Sequence, residues 1–394
     1  MISVEEAKEL IHQHSKSLAT QTIPLAQSQG YALAQAIYAP MDFPAFRQAA
    51  MDGYAIRFQD LSSSSTFTIQ GEQSAGSCDQ KLVLQKNDCI KIFTGALVPN
   101  SCDTIVQIEH VEQQEDKITI LQKPFLDMHI RPIASQNKKG ELIAQKGDAL
   151  TPAMISLLTS IGMHEVEVHR KPRIAIVTTG KELVQAPTPL QEGEIYESNA
   201  AALHAALSTL HIQSLRHIIV SDDKEKISLC FDELFQSEID ILLITGGVSV
   251  GDYDFVVAAL KQLGTEQLFH KVKQKPGKPL YFGKKNNTLI FGLPGNPASV
   301  LTCFYIYVYV AIKLCMGFRQ TELMHIKMPL LQALQKKVGL GQFLKAKIQP
   351  HGIEVLPHQE SYKMNSFAIA NALVYLSENQ SDVAQGDLVD TLIF

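Results

Sequence analysis

The run Gly246-Gly247-Val248-Ser249-Val250-Gly251-Asp252-Tyr253-Asp254 combines adjacent glycines, a hydroxyl and two carboxylates in one short turn. Consecutive glycines let backbone N–H groups converge on a ligand, the arrangement of an anion-binding nest. Ser249 adds a donor, and carboxylates beside a phosphate-binding turn suit a Mg²⁺ shared between protein and phosphate. A glycine pair alone is more often a tight strand-to-helix turn, with Asp254 as a cap; Ser249 and Asp254 together favour binding. Lys275-Pro276-Gly277-Lys278-Pro279 sets two ammonium groups three residues apart on a turn stiffened by proline. Two lysines are commonly a solvated surface, but at the carboxyl end of a parallel strand they suit phosphate or another oxyanion. Pro294-Gly295-Asn296-Pro297 opens a long apolar helix, and a helix start preceded by glycine is a ready anion site. The chain holds neither a Walker A sequence nor GxGxxG, which disfavours an NTPase or a dinucleotide enzyme. Its thirteen histidines show no HxxxH or HExxH and are read as structural or exposed.

These turns need strands and helices to position them, and the stretch from Arg173 to about Met316 supplies both. Arg173–Val177, Leu215–Val220 and Ile239–Thr245 are short apolar, β-branched runs, each stopped by a turn signal, as in strands buried on both faces. Between them lie helical stripes: Leu203, Leu207 and Leu210 behind a cap at Asn199, then Ile227, Phe231, Leu234 and Phe235. Phe255–Leu263 predicts a further helix; Leu268–Lys273, Leu280–Phe282 and Thr288–Phe291 predict further strands. Alternation at this spacing implies a parallel, doubly wound sheet, whose ligands lie outside the carboxyl ends of its strands.

At 394 residues the chain exceeds one ordinary core, so several domains are expected. Ser3-Val4-Glu5-Glu6 is a capping box that starts a helix. Thr151-Pro152 opens another, with Leu157, Leu158 and Ile161 inward and Gly162 ending it. Phe67–Ile69, Lys81–Leu84, Cys89–Phe93, Thr104–Ile108 and Lys117–Leu121 read as an all-β insert, and Met328–Phe394 as a second β domain. A net charge of -5 gives no general pull toward nucleic acid or anionic membrane. Six cysteines without CxxC spacing, and an N-terminus lacking the marks of a targeting segment, point to reduced thiols and a cytoplasmic location. Val300–Met316 approaches the length of a membrane helix. It includes Lys313 and has no counterpart elsewhere, so a buried or subunit-interface helix is expected.

Taken together, the motifs resemble the molybdopterin molybdenumtransferase family, of the MoeA and gephyrin E-domain type, over nearly the whole chain. Pro44-Ala45-Phe46-Arg47 with Ala50-Met51-Asp52-Gly53-Tyr54-Ala55 is similar to its N-terminal signature, and Thr94-Gly95-Ala96-Leu97-Val98-Pro99 to its TGAPVP stretch. GGVSVGDYD, KPGKP and GLPGNPAS resemble the rest. The resemblance implies an α/β and β multidomain protein. A discontinuous N-terminal domain (1–40 with 136–168) carries an inserted β domain (41–135). An α/β domain of the molybdopterin-binding type (169–318) and a C-terminal β barrel (319–394) follow. It further implies a homodimer that inserts molybdate into adenylylated molybdopterin with Mg²⁺ and releases AMP, supplied by a molybdopterin adenylyltransferase.

Matched position by position, the implied catalytic residues are Asp52, Thr94, Glu182, Asp222, Asp254, Lys275 and Lys278, with Glu182, Asp222 and Asp254 at the metal. The implied substrate-binding residues are Gly246, Gly247, Ser249, Gly251, Pro294, Gly295, Asn296, Lys345 and Ser366. The chain departs from the family pattern at Lys181, where an acid is usual, and at Pro132–Ser135 after Ile130-Arg131. It departs again at Lys345 or Lys347 in place of an arginine, and at Ser361–Ser366 in place of a serine-rich turn. Those departures motivate an alternative, a molybdopterin-binding scaffold of the same fold without turnover. A hydrolase on the same α/β module, such as a pyridine-nucleotide recycling enzyme, is a third reading.

Overall fold

The computed structural model describes residues 1–77, 83–248 and 255–394. Two compact units divide the chain: 1–35 with 146–156 and 164–394, and 36–145 with 157–163.

In the first unit, helix α1 (Val4–His14) begins with the capping box, Ser3 and Glu6 each bonding the other's backbone. Strand β1 (Thr20–Pro24) pairs antiparallel with β2 (Glu165–His169). The core is a six-stranded sheet. Its strands are β3 (Ile174–Thr179), β4 (Arg216–Val220), β5 (Ile241–Thr245), β6 (Glu266–His270), β8 (Tyr281–Lys285) and β9 (Thr288–Leu293), in the order β4-β3-β5-β9-β8-β6. Strand period two divides the side chains between two helical layers. Ile174 and Ile176 face one core with Leu203, Leu207 and Phe304, whereas Ala175 and Val177 face another with Phe231, Leu234 and Leu260. Helix α2 (Asn199–Thr209) and the long helix α5 (Pro297–Cys315) cover the first face; α3 (Lys224–Gln236) and α4 (Phe255–Gln262) cover the second.

The sheet is doubly wound but not wholly parallel. β8 runs against β9, because Asn286 and Asn287 close a hairpin where the spacing had suggested two more parallel strands. Asn199 is not the cap of α2. Its Nδ2 donates to the Gly295 carbonyl at 2.8 Å, while Glu197 Oε1 accepts from the Ala200 N–H.

Helix α5 contains a π-helical turn at Phe304–Val308. Val300, Phe304, Ile306, Tyr307, Val308 and Ile312 are buried within this one chain. Of the two placements expected for this helix, core burial is the one observed: the sheet and α1 cover its apolar surface.

The C-terminal strands follow the order β7 (Gln274–Lys275), β11 (Gly341–Gln349), β13 (Ala372–Leu376), β14 (Leu388–Ile393) and β10 (Met324–Pro329). β12 (Gly352–Val355) also pairs β11, and a bridge from Leu330 to Ile353 brings the end of β10 back to β12, closing a barrel. In the second unit, six strands form one sheet in the order 104–107, 53–56, 88–92, 66–73, 117–120, 111–114. Of the strand expected at Lys81–Leu84, Lys81 and Leu82 lie outside the described residues, and Val83 and Leu84 are not in a strand.

Candidate functional site

The carboxyl ends of β3, β5 and β9 open onto a cleft of about 890 Å³. Gly246 and Gly247 follow β5 with φ of +85° and +60°, a conformation side chains rarely adopt. A Cβ on Gly246 would stand 2.5 Å from the Thr179 carbonyl oxygen, so glycine is needed to let two strand ends meet. Gly295 is different: a Cβ there would find only the Gly246 Cα, at 3.8 Å. Its missing side chain leaves open space at the mouth of helix α5, which is what a ligand approaching the backbone requires.

Glu182, Asp222, Lys275 and Lys278 all line this cleft. Both lysines are exposed, and neither ammonium has a carboxylate or hydrogen-bond partner among the described residues. Gly277 between them has φ +89° and packs inward. The cleft is completed by Gln359, Ser361 and Tyr362 from the C-terminal domain. Asn296 Nδ2 donates to Ser361 Oγ at 2.8 Å, and the Ala298 N–H to the Ser361 carbonyl at 3.0 Å, joining that loop to the start of α5.

The structure places Lys345 and Ser366 behind this loop and not on the cleft surface. Lys345 is 3% exposed, and its ammonium donates to the carbonyls of His358, Glu360 and Lys363 at 2.7, 3.2 and 3.1 Å. Burial lowers its pKa, against the opposing field of Glu360. Ser366 Oγ donates to the Pro357 and His358 carbonyls at 2.5 and 2.9 Å. Both side chains thus use their donors to hold the 357–363 backbone that carries Ser361 and Tyr362.

Asp52 and Thr94 belong to the second unit, where they meet each other. The Thr94 N–H and hydroxyl both donate to Asp52 Oδ1, at 2.8 and 2.7 Å. These bonds, the backbone one foremost, hold the Asp52 carboxyl below its ordinary pKa. Ser249, Gly251 and Asp254 lie outside the described residues, as does Asp252. Among the described residues no group of three His, Cys, Asp or Glu side chains converges on one point. Sequence reasoning missed Gln274, Tyr307 and Cys303, a buried polar set beneath the lysine turn. A lone glutamine and a tyrosine in an apolar helix carry no periodic signal that could have marked them.

Three family models match the chain consecutively. They are the MoeA N-terminal region (domains I and II) over residues 2–162, a probable molybdopterin binding domain over 175–313, and the MoeA C-terminal region (domain IV) over 327–394. The fold and cleft therefore define a MoeA-type multidomain protein built around a molybdopterin-binding-type α/β domain. A protein of Haemophilus influenzae named molybdopterin molybdenumtransferase is 32% identical over 99% of this chain and 98% of its own length. Molybdopterin molybdenumtransferase 2 of Mycobacterium tuberculosis is 30% identical over 98% of each chain. The crystal structure of a molybdopterin biosynthesis MoeA protein from Pyrococcus horikoshii OT3 superposes with a TM-score of 0.86 at 27% identity, covering 100% of both chains. The chain belongs to the molybdopterin molybdenumtransferase family.

Proposed function

We propose that this protein inserts molybdate into adenylylated molybdopterin, with Mg²⁺-dependent release of AMP. One observation carries the reading. Two ammonium groups without partners among the described residues share a cleft with two carboxylates and with glycine turns open to a ligand. Lys275 and Lys278 bind the charge of the oxyanion, and the backbone around Gly246, Gly247 and Gly295 takes the phosphate oxygens. Pro294 and Asn296 shape the same helix mouth. Glu182 and Asp222 offer hard oxygen donors of the kind Mg²⁺ takes through one or two carboxylates plus phosphate. They would hold the ion together with Asp254, and the ion supplies charge neutralisation at the pyrophosphate when bound. Asp52, kept ionised by Thr94, is assigned to the catalytic set on its motif. Ser249 and Gly251 are assigned to substrate binding on theirs; Lys345 and Ser366 serve it through the loop they hold.

The same proposal takes the protein as a cytoplasmic homodimer supplied by a molybdopterin adenylyltransferase, with domains 1–40 plus 136–168, 41–135, 169–318 and 319–394. Incubation with adenylylated molybdopterin, molybdate and Mg²⁺ tests the activity. Release of AMP that requires both molybdate and Mg²⁺ supports the transferase. Tight binding of the nucleotide without AMP supports the scaffold reading and removes this one.

A further inference from the structure

Beneath the lysine turn, three buried side chains form a directed hydrogen-bond chain. The Tyr307 hydroxyl donates to Gln274 Oε1. Gln274 Nε2 donates to the Pro276 carbonyl at 2.9 Å and reaches Cys303 Sγ at 3.6 Å. Cys303 Sγ in turn lies 3.8 Å from the Gly277 carbonyl. Gln274, Cys303 and Tyr307 are each 0% exposed. Burial pushes the Cys303 thiol up to about 12, so it remains an S–H donor at neutral pH. The side-chain donors therefore run inward from helix α5 to two successive carbonyls of the turn, those of Pro276 and Gly277, which separate Lys275 from Lys278.

Two further features tie this chain to the turn. Tyr307 sits in the π-helical turn of α5, a local widening that recurs at functional sites because it re-aims side chains. On the other side, Gln274 and Lys275 form β7, paired in parallel with Gly341 and Gln342 of the barrel. The turn is thus fixed by main-chain bonds to the C-terminal domain and by side-chain bonds to the helix. Two exposed lysines gain from such a frame, since ammonium groups on long stems lose rotamer freedom when they hold a ligand.

We infer that Gln274 and Tyr307 are positioning residues of the cleft, which fix the Pro276–Gly277 backbone so that Lys275 and Lys278 converge on one bound oxyanion. The inference rests on the proposed reading of the cleft as an anion site, but it assigns roles to residues that act through the turn backbone.

Isothermal titration of the full chain with inorganic phosphate and with molybdate tests it. Tyr307→Phe removes the hydroxyl and keeps the ring. It is expected to weaken both anions about three- to ten-fold, less than the roughly ten- to hundred-fold loss expected for removing one ammonium. Gln274→Met, close in volume but without the amide, is expected to do the same or more. A purely structural role predicts a lower melting temperature with unchanged affinity in the folded protein. The decisive comparison repeats Tyr307→Phe in a Lys275→Ala/Lys278→Ala background. If the tyrosine acts through the lysines, its effect on affinity disappears there. Wild-type affinity in Tyr307→Phe, or a loss that persists in full without the lysines, overturns the inference. If the lysine-free protein binds both anions as tightly as wild type, the anion-site reading itself falls and takes the inference with it.

Discussion

Gly277→Ala carries a cost that can be worked from the geometry. The residue has φ +89°, so an alanine pays for a left-handed backbone, about 1–2 kcal/mol. Its Cβ would also stand 2.5 Å from Cys303 Sγ and 2.8 Å from Gln274 Nε2, both on side chains that are 0% exposed. Neither neighbour has solvent to move into, and forcing a methyl into a packed site costs about 1–3 kcal/mol more. The sum is about 2–5 kcal/mol. Gly264→Ala provides an internal control: its φ is +74°, but a Cβ there meets nothing within 4 Å, so only the backbone part applies. Urea unfolding of the two variants, compared at equal slope, isolates the packing part as the difference between their midpoints. Phosphate affinity should also fall in Gly277→Ala, because the turn must shift, and stay unchanged in Gly264→Ala. Equal midpoints for the two variants would refute the close packing of the turn on Cys303 and Gln274.

The other expectations concern charge and assembly. Lys278→Ala should weaken molybdate or the nucleotide substrate by roughly ten- to a hundred-fold in calorimetry without moving the melting temperature, because the side chain is exposed and unpaired among the described residues. Asp254→Asn and Asp222→Asn should each leave circular dichroism unchanged and sharply reduce Mg²⁺-dependent AMP release; normal turnover removes that residue from the mechanism. Burial lowers the Lys313 pKa to about 8 from 10.5, so between those values the unfolded chain binds more protons than the folded one. The penalty is fully present below about pH 8 and is relieved as pH rises toward 10.5. Lys313→Met should therefore flatten the rise in stability between urea midpoints taken at pH 7.5 and 9.5, and an unchanged slope counts against the burial argument. Light scattering should report a dimer at working concentration, whereas a stable, active monomer would discard that assembly.

Much of this protein was legible along the chain because the determining interactions are local. Period-two and period-3.6 apolar patterns, with glycine and proline at the turns, located β3, β5, α3 and the capping box of α1. The same locality made the lysine turn and the GLPGNP loop stand out, since their chemistry lies in adjacent residues. Tertiary structure decided what depends on partners distant in sequence. The direction of β8 follows from a two-residue hairpin, and a short apolar run reads alike whether its strand is parallel or antiparallel. Asn199 has the composition of a cap, yet the Gly295 carbonyl lies within its reach and takes its amide. Lys345 looked like a ligand-binding cation. Three carbonyls of the 357–363 loop enclose its ammonium, because burying a charge is tolerated only where its donors are satisfied. Gln274 and Tyr307, separated by an intervening hairpin and half a helix, meet only when α5 packs on the sheet. Residue type determined which groups can carry charge; packing decided which remain free to meet a ligand and which are spent holding the site in place.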